Sequence, residues 1–279
     1  MTLAGIALLL LHPGAAVDAT AALQPEHLPK LVVFDLDDTL WTPSLSSVSR
    51  TLRDVPQAEK HVILYPEAKQ ALVELATCER WRVAGTRVAV ASRTRRARWA
   101  KALLGEFELP VGPASAPARL ADLVAFAEIH NAEKTTHFRA LREASNVPFE
   151  SMLFLDDLHT QRCSNLAPVA ELGVFAAHVG ARGLTQATWR AAVAAYAARR
   201  AAGASGGAVL LQNGDVLSAA DAAPRRARHP VYRPSRPKHA RSRLSRRDRR
   251  RLALLDQVAA RSEADGSQGA RGDARAQRF

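Results

Sequence analysis

Residues 31–41 read LVVFDLDDTLW, an apolar run of four residues that ends in a carboxylate. A continuous apolar run of this length is typical of a strand buried on both faces of a parallel sheet. Asp35 and Asp37 follow the strand two residues apart, so both carboxylates can point into one pocket. Because ligands of open α/β sheets bind at the carboxyl ends of strands, this stretch predicts a chemically active strand end. An acidic turn without any site is the plain alternative.

Strand and helix patterns alternate on the C-terminal side of this stretch. Apolar runs predict strands at 87–91, up to 129, 152–155 and 174–179, and helical spacing predicts helices at 67–79, 94–104, 134–145 and 185–202. The alternation predicts an α/β fold, a doubly wound parallel sheet with helices on both faces. Only 23 residues separate Trp41 from Tyr65, which is too few for a large cap domain.

The rest of the chain predicts three regions of different character. Residues 1–29 are expected to be an N-terminal extension, 30–202 the α/β domain, and 203–279 a linker and a basic disordered tail. Within the domain, residues 107–117 are predicted to be loop. Within the linker, residues 209–217 are predicted to form a short hairpin around an Asn-Gly turn.

The net charge of +12 belongs to the tail and not to the domain. Residues 225–251 contain 13 Lys or Arg and one acid, which accounts for the whole excess. The basicity therefore says nothing about the substrate of the domain. A nucleic acid enters only as an alternative partner, bound through this tail.

Cysteine content and hydropathy bear on the compartment. Two cysteines are too few for a disulfide framework, so a cytoplasmic or nuclear protein is expected. Residues 3–11 form an apolar run like the core of a signal peptide, yet no Lys or Arg precedes Lys30. Organelle import or secretion is the alternative. No apolar run reaches the roughly 20 residues of a membrane span.

Polar residues also follow the other predicted strands. Ser92, with nearby backbone N–H groups, could hold a phosphate oxygen where a helix begins, although serine is also an ordinary helix cap. Lys134 begins a helix, where the helix dipole disfavours a cation. This placement indicates a role such as bridging a phosphate and Asp35, and a solvated surface lysine is the alternative.

The pair Asp156-Asp157 follows another apolar run. Adjacent carboxylates at a buried strand end repel each other unless a cation offsets them, although acids also favour helix starts. A carboxylate such as Asp35 can attack a phosphoryl group, and a second such as Asp37 can protonate the leaving oxygen. Mg²⁺ prefers oxygen ligands and suits the crowded negative charge.

Three other residues lie near these motifs. Trp41 is expected to pack in the core and not to stack on substrate. His137 is expected to be a partly buried structural histidine, with a ligand role as the alternative. His159 lies close to the acidic pair and could support it without binding the ion directly.

The motifs jointly resemble a known family. They are FDLDDTLW at 34–41, YPE at 65–67, ASRT at 91–94, EI at 128–129, KTTHF at 134–138, FLDD at 154–157 and LGV at 172–174. In this order they resemble the eukaryotic-type magnesium-dependent phosphatases, a capless branch of the haloacid dehalogenase superfamily. The resemblance runs from about Lys30 to Ala202.

The resemblance implies a role for each candidate on the first motif and on the acidic pair. Asp35 would be the nucleophile and a metal ligand, and Asp37 the general acid and base with its backbone carbonyl on the metal. Asp157 would be the main further ligand of Mg²⁺, supported by Asp156.

The same resemblance implies that Ser92 and Arg93 contact the substrate phosphate and that Lys134 holds phosphate and nucleophile together. The substrate would be a phosphorylated small molecule or a phosphoprotein, with phosphotyrosine and sugar phosphates as named examples. A haloacid dehalogenase-like protein that only binds its ligand is the alternative.

The sequence departs from the family pattern in three places. Asp38 replaces an aromatic residue, residues 130–133 replace a Pro-Gly-Ser turn, and residues 158–164 replace an acid-rich run, with Asn165 as the matching asparagine. These changes affect the expected specificity more than the expected reaction.

Overall fold

The computed structural model describes residues 23–112, 116–160, 162–204 and 206–224. The apolar run 3–11 and the basic segment 225–251 lie outside these residues, so the predictions for them stay predictions. None of the helices in the described residues is long and apolar enough to cross a membrane.

The described strands, in chain order, are β1 Leu31–Phe34, β2 Trp41–Thr42, β3 Ile63–Leu64, β4 Arg87–Ser92, β5 Glu108–Leu109, β6 Ala118–Arg119, β7 Val124–Ile129, β8 Met152–Asp156, β9 Phe175–His178, β10 Ala208–Leu210 and β11 Val216–Ser218. The described α-helices are α1 Leu45–Val48, α2 Pro66–Thr77, α3 Glu79–Ala84, α4 Ala97–Glu106, α5 Leu120–Leu123, α6 Lys134–Ser145, α7 Leu166–Ala170, α8 Gln186–Ala201 and α9 Ala219–Ala222.

Seven of these strands form one sheet in the order β11-β10-β9-β8-β1-β4-β7. All neighbours pair in parallel except β10 and β11, which form an antiparallel hairpin at one edge. The predicted α/β parallel sheet is therefore confirmed. β1 lies between β8 and β4, so the three strand ends that carry the candidate residues are neighbours.

Helices cover both faces of the sheet. Val32 and Phe34 of β1 point into a core that includes residues of α2, α3, α4 and α8. Leu31 and Val33 point into the opposite core, formed with residues of α6 and α7. Because successive side chains of a strand face opposite sides, burial on both faces explains the unbroken apolar run.

Several element limits differ from the sequence predictions. The predicted helix 67–79 ends at Thr77, because Cys78 is extended, and α3 follows as a separate helix. The predicted loop 107–117 contains β5, which pairs with β6. Because each of these strands is only two residues long, neither can show an alternating apolar pattern. This antiparallel pair therefore could not be predicted from the sequence.

The sheet continues beyond residue 202, where the sequence analysis ended the domain. The predicted hairpin is present as β10 and β11, and β10 pairs in parallel with β9. All three residues of β10 are buried, which explains why this short apolar segment joins the sheet. The remaining domain limits stay predictions.

Candidate active site

The loop after β1, the ends of β4 and β8, and the first turn of α6 meet at one edge of the sheet. They line a cleft of about 730 Å³ whose walls include Asp35, Asp37, Asp38, Ser44, Ser46, Ser49, Ser92, Arg93, Thr94, Arg95, Arg96, Asn131, Lys134, Asp157, Leu158 and Asn165. Six of the seven predicted site residues line this cleft. The seventh, Asp156, is fully buried behind it.

Lys134 lies at the centre of the site and is 2% exposed. Its Nζ donates to Asp35 Oδ1 at 2.6 Å, lies 3.0 Å from Asp156 Oδ2, and also donates to the carbonyl of Ala91. The three hydrogens of the ammonium thus have protein partners. Burial lowers the pKa of Lys134, but the carboxylates of Asp156 and Asp35 outweigh burial and leave that pKa above its ordinary value.

Asp156 is surrounded by donors. Its Oδ1 accepts from the backbone N–H of Leu158 at 2.8 Å, and Asn165 Nδ2 lies 3.0 Å from each carboxylate oxygen. With Lys134 on Oδ2, both oxygens are engaged. Asp156 therefore positions its neighbours, and it is an unsuitable acceptor for a proton from substrate.

Asp157 is held by its backbone instead of its side chain. Its N–H donates to Thr39 Oγ1 at 3.1 Å, and its carbonyl pairs with His178 Nε2 at 2.9 Å. The carboxylate of Asp157 accepts a hydrogen bond from its own backbone N–H and from no other residue that the structure describes. Burial raises the pKa of this carboxyl to about 7, with smaller contributions from Asp156 and Asp38.

Asp35, Asp156 and Asp157 each offer a carboxylate oxygen, and these oxygens lie within 4.8 Å of one another. Burial raises the pKa of Asp35, the Lys134 ammonium opposes that rise, and the neighbouring carboxylates add to it. A divalent cation would offset this crowded negative charge, and an all-oxygen donor set fits Mg²⁺. The residues present therefore fit a magnesium site.

Asp37 is fixed through only one of its oxygens. Oδ1 accepts from Trp41 Nε1 at 2.8 Å and from the backbone N–H of Leu45 at 2.9 Å, and no bond to Oδ2 is found in the described part of the chain. Burial raises the pKa of the Asp37 carboxyl, and these two hydrogen bonds oppose the rise. One oxygen thus orients the group while the other stays available for proton transfer.

Asp38, which replaces an aromatic residue of the family pattern, also lines the cleft. Its backbone adopts a φ of 59°, a left-handed conformation that aspartate tolerates better than most residues. Burial raises the pKa of its carboxyl, and a hydrogen bond from Thr42 opposes the rise. The substitution therefore adds a carboxyl group on the acidic side of the cleft.

Ser92 ends β4, Arg93 follows it, and both line the cleft. Ser92 is 1% exposed, and its Oγ lies 3.4 Å from the backbone N of Thr94. Arg93 donates to Asn165 Oδ1 at 3.0 Å and lies 3.4 Å from Glu133. Because Asn165 bonds both Arg93 and Asp156, it connects the ends of β4 and β8.

Two contacts of the site were not anticipated from the sequence. Thr39 and His178 form hydrogen bonds with the backbone of Asp157. No sequence pattern around either residue predicts this role. Trp41 is fully buried and stacks on Phe107, with ring centres 5.8 Å apart, so the expected packing role is confirmed. His137 is also buried, and its Nε2 lies 3.0 Å from the carbonyl of His130.

Comparison with known proteins agrees with this geometry. A model of the acid phosphatase family matches residues 27–199, more than half of the chain. The chain belongs to this family. Magnesium-dependent phosphatase 1 of Homo sapiens is 34% identical over 162 residues, which cover 55% of this chain and 79% of the relative. Membership of the haloacid dehalogenase superfamily, expected from the motifs, is thereby confirmed.

Two solved structures resemble the fold more distantly. A haloacid dehalogenase-like hydrolase from Xanthomonas campestris is 15% identical, with a TM-score of 0.43 over 63% of this chain and 99% of that one. A 3-deoxy-D-manno-octulosonate 8-phosphate phosphatase from Moraxella catarrhalis is 14% identical, with a TM-score of 0.34 over 58% of this chain and 74% of that one.

Proposed function

We propose that this acid phosphatase family member hydrolyses phosphomonoesters through an aspartyl-phosphate formed on Asp35. The supporting observation is the position of this carboxylate in the cleft. Its Oδ1 is fixed by Lys134, while Oδ2 carries no hydrogen bond from any described residue. A carboxylate oriented through one oxygen presents the other for attack on phosphorus.

The reaction would proceed in two transfers. In the first, Asp35 Oδ2 forms a bond to phosphorus while the ester oxygen leaves and takes a proton from Asp37. In the second, Asp37 removes a proton from a water molecule, whose oxygen attacks phosphorus and releases Asp35. The raised pKa of Asp37 favours the protonated form that the first transfer needs.

The cofactor is Mg²⁺, as predicted, and the 34% identical human relative is itself a magnesium-dependent phosphatase. Asp35 and Asp157 would hold the ion directly, with the backbone carbonyl of Asp37, and Asp156 would support Asp157 from behind. When bound, Mg²⁺ neutralises negative charge that crowds the phosphate and carboxylates. Ser92 and Arg93 would hold the phosphate oxygens.

Phosphorylated small molecules and phosphorylated proteins are the proposed substrate classes, with phosphotyrosine and sugar phosphates as examples. The open cleft favours both, because the short segment between Trp41 and Tyr65 holds α1 in place of a cap domain.

Two measurements test the proposal. Purified protein is assayed for phosphate release from 4-nitrophenyl phosphate with Mg²⁺ and with EDTA, then with phosphotyrosine peptides, sugar phosphates and fructosamine phosphates. Separately, the reaction of the protein with ³²P-labelled substrate is quenched in acid. The labelled protein is then tested for an acyl phosphate, which hydroxylamine cleaves. We expect both phosphate release and acyl-phosphate labelling in the presence of Mg²⁺, and neither in the presence of EDTA. Equal turnover by Asp35→Asn would refute the mechanism, and no turnover on any ester would favour a protein that only binds its ligand.

A further inference from the structure

One wall of the cleft carries arginines that the proposed reaction does not use. Arg95 and Arg96 follow the phosphate-binding pair Ser92-Arg93 along the chain and line the same cleft. Both side chains are exposed. Because they line the cleft and are exposed, they are available to whatever part of a substrate extends beyond the scissile phosphate.

Within the part of the chain that the structure describes, Arg95 and Arg96 have no acidic partner, whereas Arg93 has one. Arg93 is engaged by Asn165 and Glu133. Among the described residues, none forms an ion pair or hydrogen bond with the guanidinium of Arg95, and that of Arg96 lies over the ring of Trp99 at 5.2 Å. Unpaired cations in a cleft raise the local concentration of anions and attract them to the site.

The start of α4 adds to the same preference. Its N-cap residue is Arg96, its first turn contains no acid, and no side chain caps its free N–H groups. Helix N-termini favour negative charge, and an acidic residue in the first turn is the usual way to supply it. Ser44, Ser46 and Ser49 also line the cleft and carry no charge, and the Ser49 hydroxyl donates to the carbonyl of Ser46.

We propose that Arg95 and Arg96 bind a second anionic group of the substrate, so that the preferred substrates are phosphomonoesters that also carry a carboxylate or a further phosphate. This inference rests on the proposed phosphatase function and deepens it. Guanidinium groups bind both anions in the same bidentate geometry, which is why the two sources share one chemistry.

The test uses matched substrates that differ only at the far end. The kcat/KM of the full-length protein is measured with Mg²⁺ on 4-carboxyphenyl phosphate and on its neutral isostere, 4-carbamoylphenyl phosphate. Benzene-1,4-diyl bisphosphate tests the further phosphate. We expect each ester with a second anionic group to have a kcat/KM about tenfold higher than that of the neutral isostere. The difference should lie mainly in KM, since a charge-assisted hydrogen bond contributes about that factor.

Variants assign the preference to particular residues. In the double variant Arg95→Gln/Arg96→Gln, the ratio of kcat/KM between charged and neutral esters is expected to fall to about one. Arg98→Gln is the matched control, because Arg98 is exposed on the same segment but does not line the cleft. It removes one positive charge by the same substitution and is expected to keep the ratio.

Three results would overturn the inference: no preference in the unmodified protein, a preference that survives in the double variant, or an equal loss in the Arg98 control. If the carboxylate is preferred and the bisphosphate is not, the second group is a carboxylate, and the reverse result assigns it to phosphate. Absence of turnover on every ester would instead remove the proposed phosphatase function, and the inference with it.

Discussion

The ends of β1 and β8 each carry a pair of carboxylates, and the two pairs are used differently. At the end of β8, Asp156 has donors on both oxygens, whereas Asp157 is held only through its backbone. At the end of β1, Asp35 and Asp37 are each fixed through one oxygen and keep the other free. The carboxylates that keep a free oxygen are the ones that we propose react or bind the metal ion, and the saturated carboxylate of Asp156 is the one that we propose only supports them.

The largest expected effect is at Asp35. Replacing it with Asn removes the nucleophilic oxygen while keeping the shape of the side chain. We expect kcat to fall by at least about 10⁴-fold, as for other essential nucleophiles. Phosphate release from 4-nitrophenyl phosphate measures this, and an unchanged melting temperature shows that the fold is intact. A residual rate within tenfold of the original would place the nucleophile elsewhere.

Lys134 contacts the carboxylates at both strand ends, Asp35 and Asp156. Its replacement should therefore have the second largest effect on kcat. In Lys134→Met the stem of the side chain is kept and the ammonium is removed. We expect kcat to fall by about 10²–10³-fold, the effect of losing one preorganised charge-stabilising group. Stopped assays at saturating Mg²⁺ measure it. A change in KM alone would show that the lysine only binds substrate.

The contrast between Asp156 and Asp157 is tested by the same substitution at each. Asp157→Asn is expected to raise the Mg²⁺ concentration for half-maximal activity by about 10- to 100-fold with little loss of stability in metal-free protein. Asp156→Asn should instead turn an amide N–H toward Lys134 and Asn165 and lower the free energy of unfolding by about 2–4 kcal/mol.

Melting curves with and without Mg²⁺ separate these outcomes. Ligand at 100 times its Kd stabilises a protein by about 2.7 kcal/mol. At the same Mg²⁺ concentration, this metal-dependent stabilisation should fall to about 0.4–1.4 kcal/mol in Asp157→Asn, as a 10- to 100-fold higher Kd requires, and should be kept in Asp156→Asn. The opposite result would reverse the roles that we assign to the pair.

A smaller effect is expected from the hydrogen bond that orients Asp37. Trp41→Phe keeps the packing on Phe107 and removes the Nε1 donor, so we expect kcat to fall by about 3- to 10-fold. Trp189→Phe is the matched control, because its Nε1 donates to Glu74 at 3.0 Å, outside the cleft. Both should lose similar stability, and only Trp41→Phe should slow turnover.

The smallest effect is expected from the basic tail. Deleting residues 225–279 leaves both strand ends intact, and kcat/KM for a small ester should change by less than about twofold, since long-range charge effects are screened at physiological salt. A fall of tenfold or more would show that the tail takes part in the reaction. Binding of the tail to a nucleic acid would be measured separately by its salt dependence.

Much of this site could be predicted because its signals are local. The apolar run before Asp35 and the one before Asp156 both indicate buried strands, and parallel strands bring their carboxyl ends to one edge. The order of those strands places the two ends next to each other. The expected metal and fold follow from that arrangement, and both are confirmed.

The parts that could not be predicted depend on contacts between distant segments. Thr39 and His178 reach the backbone of Asp157 from 118 and 21 residues away. α7, which the sequence analysis did not predict, is only five residues long and follows an atypical loop. A hydroxyl or a ring nitrogen has no periodic pattern, so its partner becomes evident only once the chain is folded.

The segment between β2 and β3 forms one wall of the cleft through a four-residue helix and three serines. None of the reacting groups that we propose lies in that segment. Its replacement is therefore a route to re-engineering selectivity: grafting other sequences between positions 46 and 62 would alter which molecules enter, while the Leu45 N–H that orients Asp37 is kept.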